Sequence, residues 1–184
     1  MKDQKRLLHL TETAMMLALL ITLQALTKPY GQLLTGSLVN SLLAITVLMV
    51  GIPGGLAVAI ISPILAYFLK IAPQILTVPA IMVGNSVYVV LLHLLSDRHG
   101  RKLGRQLLAW GVAAGAKFAA LYAIVVWLIC GVLSERLLAA DVMKPAMLNL
   151  LPATFSWPQL VTALIGGGVA LAIVPVLRKA LHRE

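Results

Sequence analysis

Acidic residues and cysteines are scarce in this chain, and their scarcity excludes several kinds of function. Only 6 of the 184 residues are Asp or Glu, and all six fall in the tails, in connecting segments or at the ends of apolar runs. Paired carboxylates for general acid–base work inside an apolar segment are therefore missing. The single cysteine, Cys130, allows neither an intramolecular disulfide nor a thiolate metal cluster.

Motifs for catalysis, metals and nucleotides are missing as well. The sequence contains no H-E-x-x-H, no G-x-S-x-G and no phosphate loop of the G-x-x-x-x-G-K type. The four histidines are too dispersed in the sequence to form a metal site. We interpret them as residues at the cytoplasmic membrane boundary or in the tails: His9, His93, His99 and His182. We therefore predict that the chain is not an enzyme and that it carries neither a metal nor a cofactor.

Apolar residues dominate what is present. They make up 60% of the chain, charged residues only 11%, and the mean hydropathy is +0.97, which indicates an integral membrane protein. One span needs about 20 apolar residues. We predict an all-α, polytopic membrane protein forming one domain over residues 1–184, with six transmembrane helices in one bundle. The spans are residues 10–27, 33–51, 54–69, 75–95, 107–133 and 160–177.

The net charge of +9 has a distribution that indicates topology rather than nucleic-acid binding. The side of the bundle that holds both termini carries the larger set of basic residues: Lys2, Lys5, Arg6, Arg98, Arg101, Lys102, Arg105, Arg178, Lys179 and Arg183. The other side has only Lys28, Lys70, Arg136 and Lys144. The positive-inside rule therefore predicts cytoplasmic N and C termini. On the outer side, the apolar stretches of residues 134–159 are too interrupted to span the membrane, yet the segment is too apolar for a solvated loop. We therefore expect a surface helix or a lid over the outer mouth.

Lys117 is the one charge that clearly lies inside a predicted span. A charge at membrane depth is costly and usually has a function. Snorkelling to the cytoplasmic interface is excluded, because Arg105 marks that edge 12 residues away, about 18 Å at helical rise. Two interpretations stay open: a neutral lysine, or a lysine that pairs with an anionic group, such as a carboxylate, on a ligand.

Other polar and aromatic residues cluster in the outer half of the predicted bundle and outline a candidate small-molecule pocket with Lys117 as its floor. They are Gln24, Asn40, Asn85, Tyr122, Trp127, Tyr30, Gln32 and Trp157. Each has an alternative. Asn40 and Asn85 could join neighbouring helices through their amides, and Tyr122, Trp127 and Trp157 could be interface anchors.

Small residues recur along one face of the first span, at Ala14, Ala18, Thr22 and Ala25. Such a stripe lets another helix approach closely in lipid, within this chain or in a partner. The A-x-x-x-A motif of Ala14 and Ala18, the runs GSLVN at 36–40 and GIPGGLAVA at 51–59, the size and the six-span plan together resemble one family. This family is the substrate-binding S components of energy-coupling factor (ECF) transporters.

That resemblance implies a function and partners. It implies that the chain binds a vitamin or related small organic micronutrient from outside and delivers it with a membrane-embedded coupling (T) subunit and two ATPase subunits. It also implies that Ala14 and Ala18 dock the coupling subunit, and that ATP is hydrolysed on other chains. The location that the resemblance implies is the inner or plasma membrane of a bacterium. The alternative is a non-transporting six-span scaffold of the bacterial envelope. A lipid-modifying membrane enzyme is disfavoured by the missing acids.

Overall fold

The computed structural model describes residues 2–71, 74–96 and 103–181, and for Lys2 it describes the backbone only. Several residues used in the sequence analysis lie outside this part of the chain. They are the basic residues Arg98, Arg101, Lys102 and Arg183 and the histidines His99 and His182. The prediction that they lie at the cytoplasmic boundary stays a prediction.

The described residues form helices and contain no strand, so the predicted all-α architecture is confirmed for them. The helices are α1 (Lys2–Thr27), α2 (Gln32–Met49), α3 (Ile52–Phe68), α4 (Val78–Leu95), α5 (Leu103–Leu121), α6 (Ser134–Ala139), α7 (Met147–Phe155) and α8 (Trp157–Ala180). A π-helix, Tyr122–Val132, continues α5, and short 3₁₀ turns cover Lys28–Tyr30 and Ile75–Thr77.

Five helical stretches in the described residues are long and apolar enough to cross a membrane: Asp3–Tyr30, Gln32–Met49, Ile75–Leu95, Leu103–Val132 and Met147–Ala180. The last of them joins α7 to α8. The remaining predicted span, residues 54–69, corresponds to α3, which is apolar but has only 17 residues. At about 1.5 Å per residue it is roughly 26 Å long, close to the lower limit for a spanning helix.

Glycine and proline set the helix boundaries near the predicted positions. Gly51 adopts φ +98° between α2 and α3, a backbone conformation that favours glycine, and Pro53 occupies the first turn of α3. Pro79 and Pro158 occupy the first turns of α4 and α8 in the same way. Proline suits these positions because the first turn of a helix needs no backbone donor.

Both ends of the described chain lie at the same end of the bundle. Lys5 and Arg6 of α1 share a groove with Pro53 at the start of α3. Arg178, near the end of α8, donates a hydrogen bond to the carbonyl oxygen of Leu48 near the end of α2, at 3.0 Å. The helix ends that meet here are therefore those of the predicted cytoplasmic side.

The centre of the bundle is built on close contact between α2 and α8. Gly166 of α8 makes this approach possible, because a Cβ at this position would lie 2.6 Å from both the Asn40 Cβ and the Ser37 carbonyl oxygen. Small residues commonly allow helices to approach in this way in membranes. The α4–α5 pair packs beside this contact, while α1 lies at the periphery against α2 and α3.

The segment 134–159 contains α6 and α7. Helix α7 packs on the π-helix and on α8. With the π-helix and residues of α4 and α5 it forms an apolar cluster separate from the main core. The buried members of this outer cluster are Ala80, Leu121, Val125, Ile129, Met143, Leu151 and Phe155.

Candidate functional site

A cavity of about 190 Å³ opens at the end of the bundle opposite to the chain termini. Its floor is formed by three buried side chains from three helices, Asn40 of α2, Asn85 of α4 and Lys117 of α5. Its mouth is formed by Gln24, Lys28, Gly31 and Gln32, at the junction of α1 and α2. Between them, Val39, Ile81, Leu121 and Phe155 form apolar walls.

Lys117 lies at the floor and is only 3% exposed. Its Nζ donates to the Asn40 Oδ1 at 2.5 Å and to the Asn85 Oδ1 at 2.7 Å. The same Nζ lies 5.6 Å from the ring centroid of Tyr88, within the range of a cation–π contact. Within the described part of the chain, none of the side chains that line the cavity is acidic.

A second layer of contacts fixes the floor residues. The Asn40 Nδ2 donates to the Thr162 Oγ1 at 3.2 Å, and the Thr162 hydroxyl donates to the carbonyl oxygen of Gln159, also at 3.2 Å. The Tyr88 hydroxyl donates to the carbonyl oxygen of Ala163 at 3.4 Å. Helix α8 thus holds both Asn40 and the aromatic ring behind Lys117, so the floor is preorganised.

Two buried polar atoms of the cavity lining have no hydrogen-bond partner among the described residues. They are the Asn85 Nδ2 and the Thr35 Oγ1. Buried polar groups are nearly always satisfied in proteins, so each exception needs an explanation. Because both belong to the cavity, a bound molecule is the simplest partner for them.

Five of the residues that the sequence predicted for the site line the cavity together: Lys117, Asn40, Asn85, Gln24 and Gln32. Four aromatic residues of the prediction do not line it. Tyr30, Tyr122, Trp127 and Trp157 are 44% to 76% exposed. For Tyr122, Trp127 and Trp157 this exposure favours the alternative interpretation as interface anchors, since such rings prefer the membrane–water boundary.

Several residues of the site were not predicted from the sequence. Gln159 and Phe155 line the wall, and Tyr88 supports Lys117 from behind. A signal for Tyr88 was present, because residues three positions apart share a helix face and Tyr88 follows Asn85 at that spacing. Gln159 is predicted to lie in the outer loop, but in the structure it lies in the first turn of α8.

The small-residue stripe of α1 faces away from the bundle. Ala14, Ala18, Thr22 and Ala25 are all exposed, whereas Leu20 on the opposite side of the helix is fully buried. Packing within this chain, one of the two interpretations of the stripe, therefore does not use these four residues.

A bundle of apolar helices with a cavity that has a polar floor, apolar walls and an opening at one end is typical of membrane proteins that bind a small molecule. A protein-family comparison agrees with this class, because residues 8–178 match the model of the ECF transporter substrate-specific component. The chain belongs to this family, and the family predicted from its sequence is confirmed. It is a substrate-specific component of a transporter rather than an enzyme.

Comparison with curated proteins and with solved structures found no match. The identity of the substrate therefore has to be argued from the cavity itself.

Proposed function

We propose that this chain captures a small, anionic organic micronutrient, such as a vitamin, at the outer face of a bacterial plasma membrane. The observation that carries the proposal is the cavity floor, where a buried lysine faces the cavity and, among the residues that the structure describes, no acidic side chain lines it. A buried cation is strongly unfavourable unless it is paired. A negatively charged ligand would supply the missing partner.

The proposed topology has six spans, with α3 as the shortest, and cytoplasmic termini. Several described basic residues support this orientation, because they share the end of the bundle that holds both termini: Lys5, Arg6, Arg105 and Arg178. The cavity mouth then faces outward. Residues 134–159, with α6 and α7, are proposed as the lid of the single domain, because Phe155 of α7 reaches the cavity wall.

Delivery of the ligand is proposed to require a membrane-embedded coupling subunit and two ATPase subunits. The exposed stripe of Ala14, Ala18, Thr22 and Ala25 supports a helix-docking face for the coupling subunit. Close helix contact in lipid depends on packing of small residues rather than on the hydrophobic effect. A bulky side chain on this stripe should therefore weaken docking while leaving the cavity intact.

Ala18→Trp tests this function. Ala119→Trp is the matched control, because Ala119 is also an exposed alanine, on α5 away from the stripe. With Ala18→Trp, co-purification of the ATPase subunits and cellular uptake should both fall at least about tenfold, while the small molecule retained by the purified chain, measured by native mass spectrometry, stays bound. Ala119→Trp should behave like the unmodified protein.

Two results would contradict the proposal. If the purified chain neither retains a small molecule nor associates with an ATPase subunit, a non-transporting scaffold explains it better. If Ala18→Trp transports and assembles like Ala119→Trp, the docking face lies elsewhere.

A further inference from the structure

The proposed function leaves the class of anion open, and the geometry of the floor narrows it. We infer that the cavity binds a compact monocarboxylate, whose carboxylate lies between the Lys117 ammonium and the side-chain amide of Asn85. This inference rests on the proposed function, since it assigns the substrate class of the same site.

Donors at the floor match the two oxygens of one carboxylate. An ammonium group has three donors, and Lys117 directs two of them to Asn40 and Asn85, at 2.5 Å and 2.7 Å. One donor of Lys117 remains. The Asn85 Nδ2 is a further donor, buried at the cavity and without a partner among the described residues.

The orientation of the Asn85 amide follows from its neighbour. Its oxygen accepts from the Lys117 Nζ, and a lysine ammonium can only donate. The NH₂ group must therefore be the part of the amide that is left for a ligand. Asn40 differs, because one of the two N–H groups of its Nδ2 donates to the Thr162 Oγ1 and ties this amide to α8. Asn40 is a positioning residue for Lys117, whereas Asn85 both positions the lysine and contacts the ligand.

Charge balance selects a single negative charge. With Lys117 protonated, the floor supplies one cation, and the second lysine of the cavity, Lys28, is exposed at the mouth. In the described residues no acid lines the cavity. A monoanion neutralises this cation, while a dianion would leave one buried negative charge uncompensated, and a neutral ligand would leave the lysine unpaired. Both mismatches are costly in a medium of low dielectric constant.

The volume and the walls describe the rest of the molecule. The cavity measures about 190 Å³, somewhat more than the roughly 150 Å³ of a cavity that holds benzene. Its walls between floor and mouth are mostly the apolar side chains of Val39, Ile81, Leu121 and Phe155, with Thr35 and Gln159 as polar members. The buried part of the ligand is therefore a mostly apolar group about the size of one ring, joined to the carboxylate.

Three probes of matched ring size test this assignment: benzoate, benzamide and phenylphosphonate, the last used at a pH where it is a dianion. Binding to the full-length protein in detergent is measured by ligand-observed NMR, with dissociation constants in the millimolar range expected for such small probes. Benzoate should bind at least about tenfold more tightly than the other two, because only it matches both the donors and the charge.

Asn85→Asp sharpens the test. This change keeps an acceptor for Lys117 but replaces the free amide donor with a carboxylate, so the protein itself supplies the anion. The variant should retain its fold, as measured by its thermal unfolding temperature, and lose benzoate affinity at least about tenfold. Asn149→Asp is the control, because Asn149 is exposed on α7 and does not line the cavity.

Several results would overturn the inference: benzamide or phenylphosphonate binding as well as benzoate, no binding of benzoate, or unchanged benzoate affinity in Asn85→Asp. Co-purification of ATPase subunits is recorded on the same preparations. If the subunits co-purify and a retained small molecule is neutral or dianionic, the transport function stands and only the monocarboxylate assignment falls. If neither subunits nor a small molecule are retained, the transport function itself fails.

Discussion

Two lysines face the same cavity, and their surroundings differ completely. Lys117 at the floor is 3% exposed and is held by the amides of Asn40 and Asn85. Lys28 at the mouth is exposed, and its Nζ donates to the backbone carbonyl of Lys70. An exposed lysine is solvated and contributes little to a specific contact, whereas a desolvated one interacts strongly. Because both residues are lysines, the residue type does not distinguish them. Lys117 is suited to recognise a ligand because it is buried and held by two amides, whereas the exposed Lys28 only borders the entrance of the cavity.

The difference has a structural cause. The floor residues lie within α2, α4 and α5, where neighbouring helices constrain them, and α8 locks Asn40 through Thr162. The mouth is built from the end of α1, the 3₁₀ turn and the start of α2. Side chains at such junctions have fewer neighbours, so binding energy is expected to concentrate at the floor.

The same substitution at the two lysines gives the largest expected effect. Lys117→Met should weaken binding of the ligand retained on purification by at least about 30-fold, because loss of one partner of a buried charged pair costs about 2–5 kcal/mol. Lys28→Met should weaken it by no more than about fivefold, as exposed charges contribute little. Isothermal titration calorimetry on the protein stripped of its ligand measures both.

Equal effects of the two substitutions would remove the distinction between floor and mouth. Unchanged affinity in Lys117→Met would also end the proposal that this lysine pairs with an anionic ligand. Thermal unfolding of both variants, recorded without ligand, separates a lost contact from a misfolded protein.

The support beneath the floor can be disturbed through Gly166, a residue that does not itself line the cavity. Gly166→Ala places a Cβ 2.6 Å from the Ser37 carbonyl oxygen and from the Asn40 Cβ, so α8 and α2 must separate. Gly168→Ala is matched in helix position, but its Cβ would lie 3.6 Å from the nearest Trp110 atom, an ordinary contact. Overpacking of this kind costs about 1–3 kcal/mol of unfolding free energy.

We expect Gly166→Ala to unfold at a lower temperature than Gly168→Ala and also to bind ligand more weakly, because Asn40 moves with α2. The measurement is thermal unfolding in detergent, followed by calorimetric titration below the transition. If Gly166→Ala lowers stability but leaves affinity unchanged, the α2–α8 contact does not position the floor.

The floor could be predicted from the sequence far better than the walls. Lys117, Asn40 and Asn85 are polar residues inside long apolar runs, and polar groups at membrane depth have few roles besides helix contacts and binding. Aromatic residues carry no such signal. Trp127 and the buried Tyr88 are both aromatic residues in spans, and only the rotation of each helix in the bundle decides which of them faces inward.

The type and extent of the helices are likewise only partly predictable from the sequence. The prediction gave one continuous span over residues 107–133, but α5 changes to a π-helix at Tyr122. No proline or glycine marks this change, and π-helical geometry depends on packing that the sequence does not specify. The sequence also does not decide which way the α1 stripe faces, because Ala14 and Ala18 could pack against a helix of this chain or of another protein. Only the assembled bundle shows that both residues are exposed.

The smallest expected effect concerns the wall between the two lysines. The Thr35 Oγ1 is buried at the cavity without a partner in the described residues, and Thr35→Val removes this hydroxyl at nearly constant shape. If the hydroxyl bonds a ligand, affinity should fall about two- to tenfold, since a hydrogen bond contributes about 0.5–1.5 kcal/mol. Without ligand, the variant should be as stable as the unmodified protein or slightly more stable, because an unsatisfied polar group has been removed. Unchanged affinity together with raised stability would restrict polar recognition to the floor, and the wall would then contribute shape alone.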